Sequence, residues 1–264
     1  MELPFGTLDG NPSVDYKTWM DMQFRFLANT PSFRGLCGIQ KFTVGYADDE
    51  AVRWTGRLFR HYCIEENTEP LTNDPYLLPH LVNTHFADGV RGWSVYAGEA
   101  QSVTTDCWPG SALVIGYSSI QGCFSSHHEG DTFLVMRRSA HGPNSITQTI
   151  ANLQPGRLYS LRLITADRDD LSAPQIHAVS MGLEGVEVLA EKRFQQPFSN
   201  SVSPPWGGYG PGRPAWMSLH WLLFRATAPT ATLCISDWAS PSDPGGPIGQ
   251  RLAANFVQPQ PYLP

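Results

Sequence analysis

The stretch "SPPWGGYGPGRPAW", residues 203–216, holds aromatic side chains in a segment rich in glycine and proline, which favour neither a helix nor a strand ladder. Flat aromatic faces stack on the apolar C–H faces of sugar rings, and nearby polar groups can bond the hydroxyls. We therefore expect a carbohydrate-binding loop here. Its candidate residues are Trp206, Tyr209, Arg213, Trp216 and Trp238. The alternative is that Trp206 and Trp216 fold inward and close one end of the protein, because loops of this kind often pack by their own side chains.

A second group of chemically capable residues lies in "FSSHHEGDTF", residues 124–133, where His127, His128 and Glu129 could ligate a metal ion. Adjacent histidines point to different sides of a strand, and no third well-spaced ligand follows. This pattern favours a solvated hairpin tip over a zinc site.

Nucleophilic catalysis has little support in the sequence. Ser139 and His141 stand two residues apart, but no G-x-S-x-G elbow is present and the strand–turn–helix context is missing. The acids of the N-terminal part, Asp21 and Glu50 among them, are interpreted as helix-start or surface residues. We therefore predict no catalytic residue.

Composition limits the classes of partner. The 264 residues carry a net charge of −6 without charge runs, so no basic stripe is available for nucleic acid. No run of eighteen apolar residues predicts a membrane span, and the opening "MELPFGTLDG" lacks the basic and apolar regions of a signal peptide. The five cysteines are too scattered for a disulfide scaffold; Cys107 could bridge to Cys123, but buried free thiols are the favoured interpretation.

Residues 1–79 show helical periodicity around one short apolar strand. The first helix places Trp19, Met22 and Phe26 on one stripe, which predicts its buried face. The second repeats apolar residues from Ala51 through Trp54, Leu58 and Tyr62. Between them "GLCGIQKFTVGY" fits a buried strand. This segment predicts an α/β extension made of a helix, a strand and a helix.

From Asn83 onward the period becomes that of β-strands. Short alternating segments such as "SITQTI", "RLYSLRLITA" and "ATLCIS" are separated by turn residues, with Pro155-Gly156 suited to the centre of a type II turn. Nine or ten strands without intervening helices predict a mainly β fold. The expected architecture is a two-sheet antiparallel β-sandwich, a jelly roll, over residues 80–264.

Two groups of residues in this region resemble the carbohydrate-binding jelly rolls of the galactose-binding-like type. The first is an Asn-x-x-Phe-x-x-Gly motif followed by Gly-Trp, at Asn83, Phe86, Gly89, Gly92 and Trp93. The second is a run formed by Gln148, Ile150, Leu153, Pro155, Gly156 and Tyr159. The resemblance implies a sandwich and, by position, a structural Ca²⁺ held by Asp88 and Asn255. Asn255 stands where the family usually has an aspartate, which lowers the expected affinity.

The first 79 residues resemble the last portion of a glycoside-hydrolase (β/α)8 barrel, with "DDEAVRWTGRLFRHYCIEE" as the closing helix. A whole barrel needs about 200 residues or more, and retaining glycosidases need two carboxylates on separate strands. The resemblance therefore implies the C-terminal part of a larger carbohydrate-active enzyme, or a chain that has lost its barrel.

Together these features predict a non-catalytic glycan-binding module whose partners are a polysaccharide or oligosaccharide and a catalytic glycoside-hydrolase domain. Two alternatives remain open at this level. One is a hydrolase subunit whose barrel is completed by another chain, and the other is a structural or adhesion sandwich that binds no sugar.

Overall fold

A computed structural model gives the arrangement of most of the chain. It describes residues 16–33, 35, 49–84, 86–108, 131–172, 174–200 and 215–263. In this part of the chain no helix is both long and apolar enough to cross a membrane.

Two helices precede the strands. Helix α1 spans Tyr16–Asn29 and α2 spans Asp49–Phe59, which a π-helical turn extends over Arg60–Ile64. Short 3-10 turns follow at Leu71–Asn73 and Pro75–Leu77. The strand expected between the helices falls mainly in residues 36–48, outside the described residues.

Ten strands are present in the described residues. They are β1 Ser94–Tyr96, β2 Val103–Trp108, β3 Asp131–Arg137, β4 Ser145–Ile150, β5 Leu158–Asp167, β6 Ser180–Glu184, β7 Val186–Asn200, β8 Ala215–Ala226, β9 Ala231–Ser236 and β10 Arg251–Pro261. "SITQTI" and "ATLCIS" form β4 and β9 with the bounds that the sequence predicts.

The strands form two sheets, one of four strands in the order β1-β4-β9-β6 and one of six in the order β2-β3-β10-β5-β8-β7. Every pairing between these strands is antiparallel. The predicted mainly β, two-sheet antiparallel sandwich is therefore confirmed.

The main core lies between the sheets. Ile146 and Ile150 of β4 pack in one cluster with Leu161 and Leu163 of β5 and Leu252 of β10. All of these side chains are almost fully buried between the sheets, and the alternate residues of each strand lie on the opposite face. On the six-stranded sheet that face is also partly buried, because it carries a second apolar cluster that includes Ile164, Ala166 and Ala253.

The residue types between the strands also suit the observed turns. Gly156 has φ of 84°, and the Arg157 amide donates to the Gln154 carbonyl at 3.1 Å, as the Pro155-Gly156 turn requires.

The helical segment packs on the outer face of the six-stranded sheet. The Lys17 ammonium donates to the Pro261 carbonyl at 3.1 Å, and the Ser160 hydroxyl donates to Glu50 Oε2 at 2.5 Å. Tyr76 belongs to the main core cluster between the sheets. The division of the chain at residue 79 stays a prediction, but residues on both sides of it share packing.

The prediction of which face of α1 is buried is wrong. Met20 and Phe24 are buried against Trp54 of α2, whereas Met22 and Phe26 are 58% and 53% exposed. Successive residues are separated by about 100° around a helix, so Met22 lies about 200° from Met20. Both faces of α1 carry apolar residues, and packing against α2 selects the face of Met20 and Phe24.

The interpretation of Asp21 as a helix-start or surface residue is also wrong, because Asp21 lies inside α1 and is buried. Glu50 does lie at the start of α2, as the sequence indicates, but it is buried rather than exposed. Asp21 accepts hydrogen bonds from the Tyr62 hydroxyl at 2.6 Å and from the Thr72 amide and hydroxyl at 2.7 and 2.6 Å. These bonds satisfy the carboxylate and tie α1 to the turns that lead into the sandwich. Cys63, by contrast, is exposed rather than a buried thiol.

Candidate functional site

The outer face of the four-stranded sheet is rich in small polar side chains. Ile146, Leu233 and Ile235 face the core, so their neighbours in β4 and β9 face outward. In the observed strand register, outward-facing residues of neighbouring strands lie opposite one another and form two polar rows across the sheet. One row is Ser94, Thr147, Cys234 and Gly182, and the next is Thr149, Thr232 and Glu184.

A cleft of about 560 Å³ lies at one end of this face. It is open to solvent along the sheet and is bounded by the segment before β1. Its lining consists of Pro79, His80, Leu81, Val82, Gly92, Ser94, Thr147, Gln148, Thr149, Ala151, Asn152 and Thr232.

Side-chain amides fix the wall of the cleft. Gln148 Oε1 accepts from the Val82 amide at 2.8 Å, and Gln148 Nε2 donates to the Val82 carbonyl at 3.1 Å. Asn152 Nδ2 donates to the Pro79 carbonyl at 2.7 Å. The wall is therefore held in place by bonds that do not use the hydroxyl groups of the floor.

His80 forms the buried corner of the same wall. Its Nδ1 lies 2.8 Å from the Ala151 carbonyl oxygen, and its ring packs edge-on against Tyr159 at 5.1 Å between centroids. The Ala151 amide in turn donates to the His80 carbonyl at 2.9 Å. The ring supports the cleft rather than projecting into it.

The floor offers hydroxyl groups to a ligand. Ser94, Thr149 and Thr232 are exposed and Thr147 is half-buried. Within the described residues, none of these four side chains makes a hydrogen bond to another protein group. A hydroxyl can both donate and accept, so this floor suits a ligand with many hydroxyls of its own.

An aromatic ring stands beside the cleft. Tyr96 is 64% exposed and lies two residues beyond Ser94, opposite Ser145 on the same face of the sheet. Two residues of a strand span roughly 7 Å, so the Tyr96 ring lies just beyond the end of the cleft floor at Ser94. Tyr96 can therefore stack on a sugar whose neighbour lies over the cleft floor.

The electrostatic environment of the cleft is neutral. Lys, Arg, Asp and Glu are absent from the described residues that line it. Burial raises the pKa of the Cys234 thiol, which keeps this neighbouring side chain uncharged. An uncharged, hydroxyl-bearing ligand fits this lining better than an anionic one.

Most of the loop that the sequence favours as the ligand site lies outside the described residues. The pairing of Asn200 with Ala215 shows that residues 201–214 connect β7 to β8 at the edge of the six-stranded sheet. Trp206, Tyr209 and Arg213 lie outside the described residues. Trp216 lies in β8, where it is half-buried and its amide donates to the Leu171 carbonyl at 2.9 Å.

Trp238, the fifth residue of that candidate site, follows β9 and is half-buried. Its indole Nε1 is buried and has no hydrogen-bond partner among the described residues. The loop site therefore stays a prediction.

The Asn83 motif forms a closed turn. Asn83 Nδ2 donates to the carbonyls of Gly89 and Arg91 at 2.9 Å each, and its Oδ1 accepts from the Asp88 amide at 3.2 Å. Gly92 adopts a φ of 85°, which favours glycine. Trp93 and Phe86 pack with ring centroids 5.7 Å apart beneath this turn. These residues shape the rim of the cleft rather than contact a ligand directly.

The two side chains named for calcium have other partners. Asp88 Oδ2 accepts from Arg91 Nη2 at 2.5 Å. Asn255 Oδ1 accepts from the Phe256 amide at 2.8 Å, and its Nδ2 donates to the Thr132 carbonyl at 2.7 Å. The calcium ion stays a prediction.

The other candidate groups contribute no site among the described residues. His127, His128 and Glu129 lie outside them, as does Cys123, the partner proposed for Cys107. Ser139 Oγ accepts from the His141 amide at 3.0 Å within a tight turn, so the pair is structural. No cluster of three or more His, Cys, Asp or Glu suited to a metal occurs in the described part of the chain.

Sequence reasoning missed the hydroxyl-lined floor. Its signal is visible in "SITQTI" and "ATLCIS", where every second residue is Ser, Thr or Cys. The signal becomes interpretable only when the register pairs Thr149 with Thr232.

Comparison with known proteins finds solved structures of low similarity. No family model matches the chain, and no curated protein matches it. Similar solved structures include the enzymatically active domain of bacteriophage CBA120 tailspike protein 4, at 12% identity and a TM-score of 0.40 over 72% of this chain and 22% of that one. This chain thus spans about a fifth of the tailspike structure.

Two smaller sugar-binding structures are similar over almost their whole length. One is the carbohydrate-binding module TmCBM61 in complex with β-1,4-galactotriose, at 13% identity and a TM-score of 0.32 over 69% of this chain and 99% of that one. The other is a putative sugar binding protein from Bacteroides thetaiotaomicron, at 10% identity and a TM-score of 0.37 over 70% of this chain and 100% of that one. Fold alone does not specify a ligand, so these similarities assign no function to this chain.

Proposed function

We propose that this protein binds a neutral oligosaccharide or polysaccharide, without cleaving it, in the cleft on the four-stranded sheet. The single observation that carries the proposal is the cleft floor, where Ser94, Thr147, Thr149 and Thr232 present hydroxyls with no protein partner among the described residues. Sugar hydroxyls can satisfy both the donor and the acceptor capacity of these groups.

Binding rather than hydrolysis follows from the chemistry of the lining. A glycosidase needs two carboxyl groups flanking the scissile bond, at about 5 to 10 Å from one another. The described residues that line this cleft include no carboxylate. Among the described residues, the lining can therefore hold a glycan but supplies no pair of carboxyl groups to cleave it.

The aromatic loop, residues 203–216, is the second part of the proposal. It joins β7 to β8 at the edge of the other sheet, so it would form a separate contact with the same polymer. Two contacts on one chain raise the effective concentration of the second after the first has formed. An accessory role beside a catalytic glycoside-hydrolase domain fits this kind of binding.

The experiment compares variants in affinity electrophoresis through gels that contain neutral or acidic polysaccharides. Thr147→Val and Thr149→Val remove hydroxyls while keeping β-branched side chains that suit a strand. Each lost hydrogen bond weakens binding by on the order of fivefold. Thr104→Val is the matched control, because Thr104 is exposed on β2 of the other sheet.

Three results discriminate the possibilities. Weaker retardation of the Thr147 and Thr149 variants on a neutral polymer, with Thr104→Val unchanged, supports the cleft. Loss of retardation only in a Trp206→Ala, Tyr209→Ala double variant assigns binding to the loop instead. Absence of retardation of the unaltered protein on every polysaccharide tested overturns the proposal and favours a structural sandwich.

A further inference from the structure

Two histidines share one hydroxyl in the interior of the sandwich. Thr165 Oγ1 lies 2.8 Å from His220 Nε2 and 3.2 Å from His177 Nδ1, and all three side chains are buried. Ser218 Oγ lies 3.3 Å from the same His177 nitrogen. The cluster lies where β5 and β8 pair, Thr165 opposite Ser218.

Counting protons shows that this cluster suits neutral rings. The Thr165 hydroxyl has one proton, so it can donate to one ring and must accept from the other. The second nitrogen of each ring, His177 Nε2 and His220 Nδ1, is buried without a partner among the described residues. A proton added to either ring would create a buried charge with an unsatisfied or opposed N–H group.

His177 belongs to the segment 171–179, which crosses from β5 in the six-stranded sheet to β6 in the four-stranded sheet. Bonds to β8 hold this segment: Ser218 Oγ donates to the Gln175 carbonyl and accepts from the His177 amide at 3.4 Å. The Trp216 amide donates to the Leu171 carbonyl at 2.9 Å. A displaced segment would therefore also release Trp216, near the start of β8.

We propose that His177 and His220 form an acid-sensitive latch, which holds the segment 171–179 on β8 while both rings are neutral and releases it when they are protonated.

Burial, more than the surrounding charges, favours the neutral form of the pair. Burial is the main cause that lowers the pKa of His177; the Arg138 cation lowers it further, and Asp167 opposes the change. Burial, then the neighbouring His177 and then Arg193 lower the pKa of His220 to about 3. Asp167 lies on β5, Arg193 on β7 and His220 on β8, and Arg138 directly follows β3.

The direction of the pH effect follows from linkage. A histidine in the released segment takes up a proton near its ordinary pKa of about 6.5, whereas the latched form does not. Below about pH 6.5, each histidine therefore raises the ratio of released to latched protein up to tenfold per pH unit. The latched form is stable above about pH 6.5 and is lost as the pH falls below that value.

Hydrogen exchange measured by mass spectrometry tests the latch in the full chain at about pH 7.5 and pH 5. Protection factors, corrected for the intrinsic pH dependence of exchange, should fall at least tenfold for peptides covering residues 171–179, and little for β4 and β9. His177→Asn and His220→Gln keep a neutral nitrogen near the hydroxyl, so the double variant should lose this pH dependence. His141→Gln is the matched control, because His141 is exposed.

Equal protection of residues 171–179 at both pH values overturns the latch, as does a double variant that keeps the pH response of the unaltered protein. If the double variant does not fold, the unaltered protein still decides the matter by NMR titration of its eight histidines. The latch requires two ring signals that stay neutral below about pH 5.5 until the segment opens. Eight signals that all titrate near pH 6.5 without any change in exchange contradict it.

Discussion

The side-chain amide of Gln148 pairs with both main-chain groups of Val82, at 2.8 Å for the accepted bond and 3.1 Å for the donated one. Val82 itself is largely exposed, so the segment before β1 relies on this pair and on the His80 and Asn152 bonds for its position. The wall of the cleft therefore depends on a residue that belongs to the sheet.

Gln148→Glu should loosen this wall. A carboxylate can accept from the Val82 amide but repels the Val82 carbonyl, so we expect a loss of about 1–3 kcal/mol in the free energy of unfolding at pH 7. Urea denaturation measures the loss, and Gln196→Glu on the exposed edge strand β7 is the control. An equal effect of the two substitutions would show that the amide pair contributes nothing.

Arg138→Lys should be strongly destabilising. The buried guanidinium donates to the Asp237, Pro244 and Ala178 carbonyls and, at 3.0 Å, to Gln250 Oε1. An ammonium group cannot reach all four acceptors, and burial already lowers the pKa of Arg138. We expect a loss of about 3–5 kcal/mol in a denaturant titration.

Arg91→Lys gives the comparison for Arg138, because Arg91 forms an exposed ion pair with Asp88. Exposed pairs contribute about 0–1 kcal/mol. If the two arginine variants unfold at the same denaturant concentration, the buried hydrogen bonds of Arg138 are not important for stability.

Phe24→Ala and Phe26→Ala should differ sharply although the residues are two apart on α1. Phe24 is buried, and its ring packs edge-on against the Phe59 ring with centroids 5.1 Å apart. Its truncation should therefore lower the free energy of unfolding by about 3–5 kcal/mol. Phe26 is half-exposed, and its truncation should change stability by about 1 kcal/mol or less. Thermal unfolding measures both, and a costly Phe26→Ala would indicate that this face of α1 is covered in solution.

Two glycines give opposite expectations for substitution by alanine. A Cβ on Gly98 would lie 2.3 Å from the Gly142 carbonyl oxygen, so Gly98→Ala should destabilise by about 2 kcal/mol or more. A Cβ on Gly56 in α2 meets no atom within 4 Å, so Gly56→Ala should stabilise by about 0.5–1 kcal/mol. Calorimetry of the two variants should shift the melting temperature in opposite directions, and shifts of the same sign would contradict this contrast.

The sheets could be predicted from sequence where side-chain alternation is local and complete. Strands β4 and β9 have the bounds that "SITQTI" and "ATLCIS" indicate. Strand β7 is longer than the predicted "VEVLA" because pairing with β8 extends it through exposed residues to Asn200. Strand β2 was not predicted, since "VTTDCW" shows little alternation and depends on its pairing with β3.

The sequence by itself determined the strand periodicity, the turn at Gly156 and the identity of a β-sandwich, because each depends on backbone preferences and alternation within a few residues. Tertiary structure alone decided which face of α1 is buried, that Thr149 meets Thr232, and that His177, His220 and Thr165 share one hydrogen-bonded cluster. These relations join residues far apart in the chain, and their energies depend on distance and burial, which spacing along a sequence does not encode.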